Sequence, residues 1–336
     1  MSEIRWDPWT GRPVVIAGSR SARPNEYGGA PPPKSSPEEC PFCEGHEDRT
    51  PPEVSAIRPG GGAPNGAGWT VRLIPNKFPT LAPDVPGPEG TGTALRRAAG
   101  TGRHEVLLES PRHAPGLPEL DTPQVQRVFH ALRDRVRDLT SEPSTAAVVA
   151  FENAGPESGG TLWHPHAQIV ATPVVPPKVA EELERSARGP GAPCRLETAR
   201  DLELADGSRS VARVGPLVAW APFASEHPFS VRVVSATHAP SFGLADAAEV
   251  EGLARLVPHL LRALLAVAPN ASYNWSIASL PEGDAHSAYH WYWEMAPRLV
   301  RPDGFELASG LPVNPVAPES AAEQLRSVWS RTARSG

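Results

Sequence analysis

The chain has 336 residues, enough for about two domains with a substantial core, which excludes a single small peptide-binding module. Its 32 basic and 38 acidic side chains give a formal charge of −6, so there is no global attraction for nucleic acid or an anionic membrane, only room for local basic sites. The three cysteines cannot build a disulfide framework, and the sequence shows neither an apolar leader nor the run of about 18 apolar residues that a membrane span needs. It reads as cytoplasmic.

Glycine and proline are abundant, 29 and 41 residues, and concentrate at 24–65 and 84–102, where long ordered loops are expected rather than a further fold. In chain order, PVVIAG at 13–18 predicts an early strand. A turn-rich stretch then leads to Cys40-Pro-Phe-Cys43, and WTVRLIPNKFP at 69–79 alternates around Val71 and Leu73. EVLLES at 105–110 predicts a strand, and DTPQVQRVFHALRDRVRDL at 121–139 an amphipathic helix, for which Asp121, Thr122 and Pro123 supply the start. AAVVAFEN at 146–153 and WHPHAQIVA at 163–171 predict two more strands.

A weak internal repeat runs at an offset of 125 residues. EVLLESPRHAP is echoed by SVRVVSATHAP, which puts His113 on His238. The helix at 121–139 maps onto 246–264, and AVVAFENAG onto SYNWSIASL at 272–280. WHPHAQIVA lands on AYHWYWEMA at 288–296, where the apolar rhythm survives and the paired histidines do not. A strand, helix, strand, strand order used twice predicts an α+β duplication in which one half kept the reactive group and the other became scaffold or substrate wall.

The chemistry centres on His164-Pro165-His166-Ala167-Gln168. In an extended strand His164, His166 and Gln168 face one side and Ala167 and Ile169 the other. Two imidazoles and an amide on one surface are costly unless they meet a ligand or one another. Cys40 and Cys43 have the C-x₂-C spacing that grips one tetrahedral zinc, with His113 and His164 as candidate partners and His46 and His104 as alternatives. A neutral histidine is also a competent nucleophile toward an α-phosphoryl group, with Gln168, Ser158 and the backbone amides of 155–161 placed to stabilise charge. No G-x₄-G-K-[ST] segment is present.

The chain resembles the galactose-1-phosphate uridylyltransferase family of the histidine-triad superfamily, and it is similar to ADP-glucose phosphorylase as well. The resemblance rests on Arg23-Pro24, Cys40-Pro-Phe-Cys43, Thr50-Pro-Pro-Glu53, Pro75-Asn76-Lys77-Phe78-Pro79 and Glu109-Ser-Pro-Arg-His113. It continues through Phe151-Glu-Asn153-Ala-Gly155, His164-Pro-His166-Ala-Gln168, Gly304-Phe-Glu306-Leu-Ala-Ser-Gly310, Asn314-Pro and Pro318-Glu319, nearly the whole chain. It implies a duplicated histidine-triad-like α+β fold with antiparallel sheets and packed helices. The expected division is 1–175, carrying nucleophile and structural zinc, and 176–336, contributing to the sugar-phosphate pocket and a homodimer.

The same resemblance implies that His166 is the nucleophile, that Gln168 contacts the transferred phosphoryl group, and that Cys40, Cys43, His113 and His164 hold zinc, so that His164 supports His166. Arg23, Asn76, Asn153 and Ser158 would border the nucleotide, and Glu306 and the Phe305 region the sugar phosphate across the dimer interface. A second zinc or iron would use Cys194, Glu197, His238 and His290. The implied reaction is ping-pong: UDP-glucose loads uridylyl onto His166 and releases glucose 1-phosphate, then galactose 1-phosphate collects it, with activity falling at acidic pH if His166 protonates. The alternatives are ADP-glucose as donor with phosphate as acceptor, a nucleotide hydrolase, and a nucleotide-binding protein without turnover. His227, His259 and His286 have no comparable constellation, and the tryptophans of WHPH and YHWYW fit a pocket rim or a core.

Overall fold

In a computed structural model, residues 3–16, 36–83, 99–113, 116–160, 162–186, 194–283 and 286–332 are described. Arg23 and the stretches 17–35 and 84–98, on which part of the loop expectation falls, lie outside them. The strands in chain order are β1 (Glu3–Trp6), β2 (Pro13–Ile16), β3 (Ser55–Ile57), β4 (Val71–Pro75), β5 (Arg103–Leu108), β6 (Ala147–Ala154) and β7 (His166–Thr172). There follow β8 (Ser210–Val214), β9 (Leu217–Trp220), β10 (Val231–Ser235), β11 (Tyr273–Ser279), β12 (Tyr292–Pro297) and β13 (Val313–Asn314). The helices are α1 (Thr122–Thr140), α2 (Pro177–Ser186), α3 (Arg195–Asp206), α4 (Ala247–Val267), α5 (Gly304–Ser309) and α6 (Pro318–Thr332).

Ten strands form one antiparallel sheet in the order β3-β4-β5-β7-β6-β11-β12-β10-β9-β8, while β1, β2 and β13 make a small separate one. The two halves of the chain meet edge to edge where β6 pairs with β11 over seven positions, from Tyr273 against Ala154 to Ser279 against Val148. The predicted α+β architecture is therefore present, with the halves joined through a continuous sheet.

Both long helices start where the sequence places a carboxylate cap. Asp121 accepts from the Gln124 amide at 2.8 Å, and Asp246 forms a reciprocal capping box with Glu249. One face of each helix is apolar: Val125, Val128, Phe129, Leu132 and Val136 of α1 are buried, as are Leu253, Leu256, Leu260 and Leu264 of α4. These helices lie against the sheet face that presents Leu107, Ala150, Ala167, Ile169, Trp275, Ile277, Trp293 and Met295. Trp291 and Trp293 are thus core residues, which settles their sequence ambiguity. The opposite face carries His166, Gln168, Asn153 and Glu294 together with two smaller apolar clusters, one around Trp9 and Trp220 and one around Trp69 and Val106.

Strand pairing also corrects the register of the repeat. The 125-residue offset relates the cap Asp121 to Asp246 and Phe151 of β6 to Ser276 of β11. Phe151 faces Gln168, and Ser276 faces Glu294, so at β12 the offset has grown by one residue. His164 then matches His290, His166 matches Tyr292 and Gln168 matches Glu294. A shared role supports this: ring Nε2 of His164 bonds the Ser110 carbonyl at 2.7 Å, and Nε2 of His290 bonds that of Ser235 at 3.2 Å.

Candidate active site and metal cluster

β7 alternates strictly. Ala167, Ile169 and Ala171 enter the helix-side core, which turns His166 and Gln168 to the other face. The strand begins at His166, so His164 sits in the preceding turn and is aimed at the cysteine pair rather than along the strand. His166 is 9% exposed and its Nδ1 lies 2.7 Å from the His164 carbonyl, an acceptor that requires the hydrogen on Nδ1. Nε2 is left with its lone pair. Burial holds the His166 imidazole below the usual histidine pKa, against the opposing pull of that carbonyl bond. Phe42, between the two cysteines in sequence, packs edge-on against His166 at 5.2 Å and His164 at 6.0 Å.

Cys40, Cys43, His113 and His164 bring one ligand atom each within 4.8 Å of one another. The sulfur-to-Nδ1 separations are 3.4 Å for Cys43 and His113, and 3.7 Å for both cysteines to His164. A tetrahedral zinc with bonds of about 2.3 Å to sulfur and about 2.05 Å to nitrogen would set these edges at about 3.6 Å. The group fits. Ser110 takes the Nε2 hydrogen of His164 and leaves Nδ1 free to ligate, the bracing usual behind a metal-bound histidine. Burial and then the neighbouring Cys40 push the Cys43 thiol up to about 12, an arrangement that a cation would relieve. The alternative ligands stand apart: His46 donates from Nδ1 to the Cys40 carbonyl at 2.7 Å, and His104 lies on β5.

Around His166, Gln168 is half-buried and its Oε1 lies 2.8 Å from His104 Nε2. Asn76 Nδ2 is 3.1 Å from the same ring nitrogen. On β6, the Asn153 carboxamide accepts from Asn274 Nδ2 at 2.7 Å, and the same nitrogen reaches the Ser158 carbonyl at 3.0 Å. The Ser158 hydroxyl donates to the Gly155 carbonyl at 2.6 Å, so its hydrogen serves the turn itself. A Cβ on Gly160 would lie 2.7 Å from the Asn153 carbonyl oxygen, which explains why the turn needs glycine there. A cavity of about 310 Å³ opens on this sheet face beside Phe151, Asn153, Asn274, His227 and Arg298.

Glu306 lies on α5, where Oε2 accepts the Asp303 amide at 2.9 Å and Oε1 the Val313 amide at 2.9 Å. Within this chain it caps the helix and ties it to β13, while Phe305 and Leu307 beside it are exposed. In the second half Cys194, Glu197 and His238 form a group of three, with His238 Nδ1 3.7 Å from Glu197. His290 stands next to it, its ring 5.0 Å from that of His238 and its buried Nδ1 without a hydrogen-bond partner. His259 packs on Trp329 and bonds the Arg255 carbonyl, and His286 bonds the Pro281 carbonyl, both local roles.

Two residues of this site escaped the sequence reading in their present role, Asn274 and His104. The signal for His104 was its even spacing from Val106 and Leu108, which puts it on the His166 face of the sheet.

The family model for the N-terminal domain of galactose-1-phosphate uridyl transferase matches residues 63–176. ADP-glucose phosphorylase of Arabidopsis thaliana is 30% identical over 97% of this chain and 93% of its own. Galactose-1-phosphate uridylyltransferase of Thermotoga maritima is 25% identical over 97% and 98%. The crystal structure of the Arabidopsis thaliana ADP-glucose phosphorylase with bound ADP-glucose superimposes with a TM-score of 0.79 at 28% identity, covering 97% of this chain and 99% of that one. With likeness extending along both chains nearly end to end, this protein belongs to the galactose-1-phosphate uridylyltransferase family of nucleotidyl-transferring enzymes, in which ADP-glucose phosphorylase is also found.

Proposed function

We propose that the protein moves a nucleoside monophosphate from a nucleotide sugar to a second phosphate acceptor through a covalent intermediate on His166. The observation that carries this reading is the His166 imidazole, whose Nδ1 hydrogen is committed to the His164 carbonyl so that Nε2 presents a lone pair beside Gln168. Nε2 attacks the α-phosphorus, the bond from that phosphorus to the bridging oxygen breaks, and glucose 1-phosphate leaves with the electron pair. An acceptor oxygen then attacks the same phosphorus and the P–N bond breaks, returning the pair to His166. Gln168 supplies an N–H to the nonbridging oxygens, while Asn76 and Asn153 border the nucleotide.

The donor that the likeness favours is ADP-glucose with inorganic phosphate as acceptor, because the ADP-glucose phosphorylase relative is the more similar at 30% identity. UDP-glucose with galactose 1-phosphate is the second reading, supported by the family model and the Thermotoga maritima relative. In both, Cys40, Cys43, His113 and His164 would hold a zinc that would supply no bond-making chemistry and would fix the turn that carries His166. A second metal would be held by Cys194, Glu197 and His238 with His290. The catalytic half spans 1–175, and a homodimer would bring the second half's α5 region to a neighbouring site.

The test is intact mass after incubation with ADP-glucose or UDP-glucose, with released glucose 1-phosphate measured in parallel. Phosphate should discharge an adenylyl adduct, and galactose 1-phosphate a uridylyl adduct. His166→Ala should form neither. No adduct from either donor with zinc-loaded protein, or an adduct that survives His166→Ala, would end this reading.

A further inference from the structure

We infer that His104 is a positioning residue that sets the orientation of the Gln168 carboxamide, and hence which of its two ends meets the transferred phosphoryl group. The inference rests on the proposed transfer through His166 and adds to it the residue that aims Gln168.

One donor at this ring is unambiguous. The backbone amide of Thr80 lies 3.0 Å from His104 Nδ1, so Nδ1 accepts and bears no hydrogen. A neutral imidazole then carries its hydrogen on Nε2, and the acceptor within reach is Gln168 Oε1 at 2.8 Å. The nitrogen and oxygen of a carboxamide have nearly the same shape, so only such a network tells them apart. With Oε1 bound to the ring N–H, the Gln168 amino group is turned away from His104. The reversed carboxamide would turn a second amino group, besides that of Asn76, against the same ring N–H and leave that N–H without its acceptor.

The strand register makes this contact possible. His104 faces Val170, and Val106 faces Gln168, so His104 and Gln168 are diagonal neighbours on one sheet face, two residues from His166. His104 is only 9% exposed, and its backbone carbonyl accepts the Asn76 amide at 2.8 Å, which leaves the ring little freedom. Asn76 is fixed in the same sense. Its Oδ1 accepts the Phe78 amide at 2.8 Å, so Nδ2 is the end near His104 and finds no acceptor in a ring nitrogen that is itself protonated. The amino groups of Gln168 and Asn76 are thereby both kept as donors. A nonbridging phosphoryl oxygen needs donors, and a carbonyl oxygen in that place would repel it.

The test is single-turnover labelling of His166 by ADP-glucose and by UDP-glucose, with the wild type as reference. His104→Ala should slow the saturated labelling rate by about 10- to 100-fold while the half-saturating donor concentration changes little, since a free carboxamide loses a transition-state donor more than a ground-state contact. His104→Gln, whose amide nitrogen reaches the place of Nε2, should recover most of the rate. His104→Asn, which replaces only the Nδ1 end, should not. Combined with Gln168→Ala, His104→Ala should cost nothing further, which separates aiming of Gln168 from a general weakening of β5. Full-rate labelling by His104→Ala and His104→Asn, or additive losses in the double variant, would overturn the inference while leaving the proposed function standing. Failure of the wild type to form any adduct would instead remove the proposed function and this inference with it.

Discussion

Replacing Cys43 by alanine strikes the metal cluster where its contacts are densest. Cys43 makes two of the three sulfur-to-nitrogen approaches, 3.4 Å to His113 and 3.7 Å to His164. A four-ligand zinc site binds with roughly 10–16 kcal/mol, so one ligand's share is roughly 2.5–4 kcal/mol, or about 10²- to 10³-fold in affinity. The consequence for the proposed transfer passes through His164, which would ligate through Nδ1 and whose own carbonyl fixes the His166 tautomer at 2.7 Å. Competition with a chromophoric chelator should show the weakened affinity, and labelling of His166 should drop at least tenfold at limiting zinc and recover at excess. Cys194→Ala, in the other half, should leave labelling near the wild-type rate. An unchanged chelator midpoint for Cys43→Ala would refute the four-ligand assignment, and full labelling by the zinc-stripped protein would refute the link from metal to nucleophile.

Glu53 accepts from Arg58 at 2.8 Å and from Arg72 at 3.0 Å, and Arg58 in first place holds its carboxyl at about 2 rather than 4.5. At 1.36 kcal/mol per pKa unit this is about 3 kcal/mol of stability, present above pH 4.5 and lost as pH falls toward 2. Glu53→Gln should therefore lower unfolding stability most at neutral pH, with the gap to the wild type narrowing below pH 4.5 in denaturant titrations; equal stabilities at pH 7 would contradict this. Gly160→Ala must push its Cβ away from the Asn153 carbonyl, 2.7 Å distant, and from that of Gly155 at 3.0 Å, moving the turn that follows β6. Labelling should slow by roughly 10- to 100-fold with little loss of thermal stability, as a displacement of about 1 Å would produce.

What the sequence disclosed and what it hid divide along the reach of the interactions. Local periodicity was enough for α1 and its Asp121 cap, and for the alternation that sends Ala167 and Ile169 inward and Gln168 outward. C-x₂-C spacing nominated Cys40 and Cys43 with His113 and His164 among their candidate partners, whereas the second set came from the family resemblance, to which the repeat added only the echo of His113 in His238. Periodicity carries no information on which strand lies beside which, so the seam between β6 and β11 and the diagonal contact of His104 with Gln168, 64 residues apart, were hidden. Short or weakly patterned elements such as α3, β8 and β9 also escaped, because their places are decided by tertiary packing of Leu196, Val211 and Leu217. The repeat was read one residue out of register at β12 for a related reason: an insertion between strands shifts the offset without disturbing the apolar rhythm. That slip concealed the match of His164 with His290.

The corrected register explains why one half of a duplicated sheet is suited to transfer and the other is not. Tyr292 stands where His166 does, and a phenol whose hydroxyl donates to Glu182 at 2.9 Å and whose ring meets Trp9 edge-on has no free nucleophile to offer. Glu294 stands where Gln168 does. Burial alone would raise its pKa, yet Lys178 and Arg232 hold the carboxyl at about 2, so it remains anionic and would repel a phosphoryl oxygen that an amide attracts. Arg232 is in turn stacked on Trp9 and paired with Asp7, which ties it to the N-terminal segment. The Cys194, Glu197 and His238 group nevertheless persists beside His290 in this half, at the place that Cys40, Cys43 and His113 occupy beside His164. A metal held by this group would join the start of α3 to the chain that follows β10, a purely architectural use. By the same geometry a metal in the first cluster would serve the proposed transfer by holding still the turn from which His166 emerges.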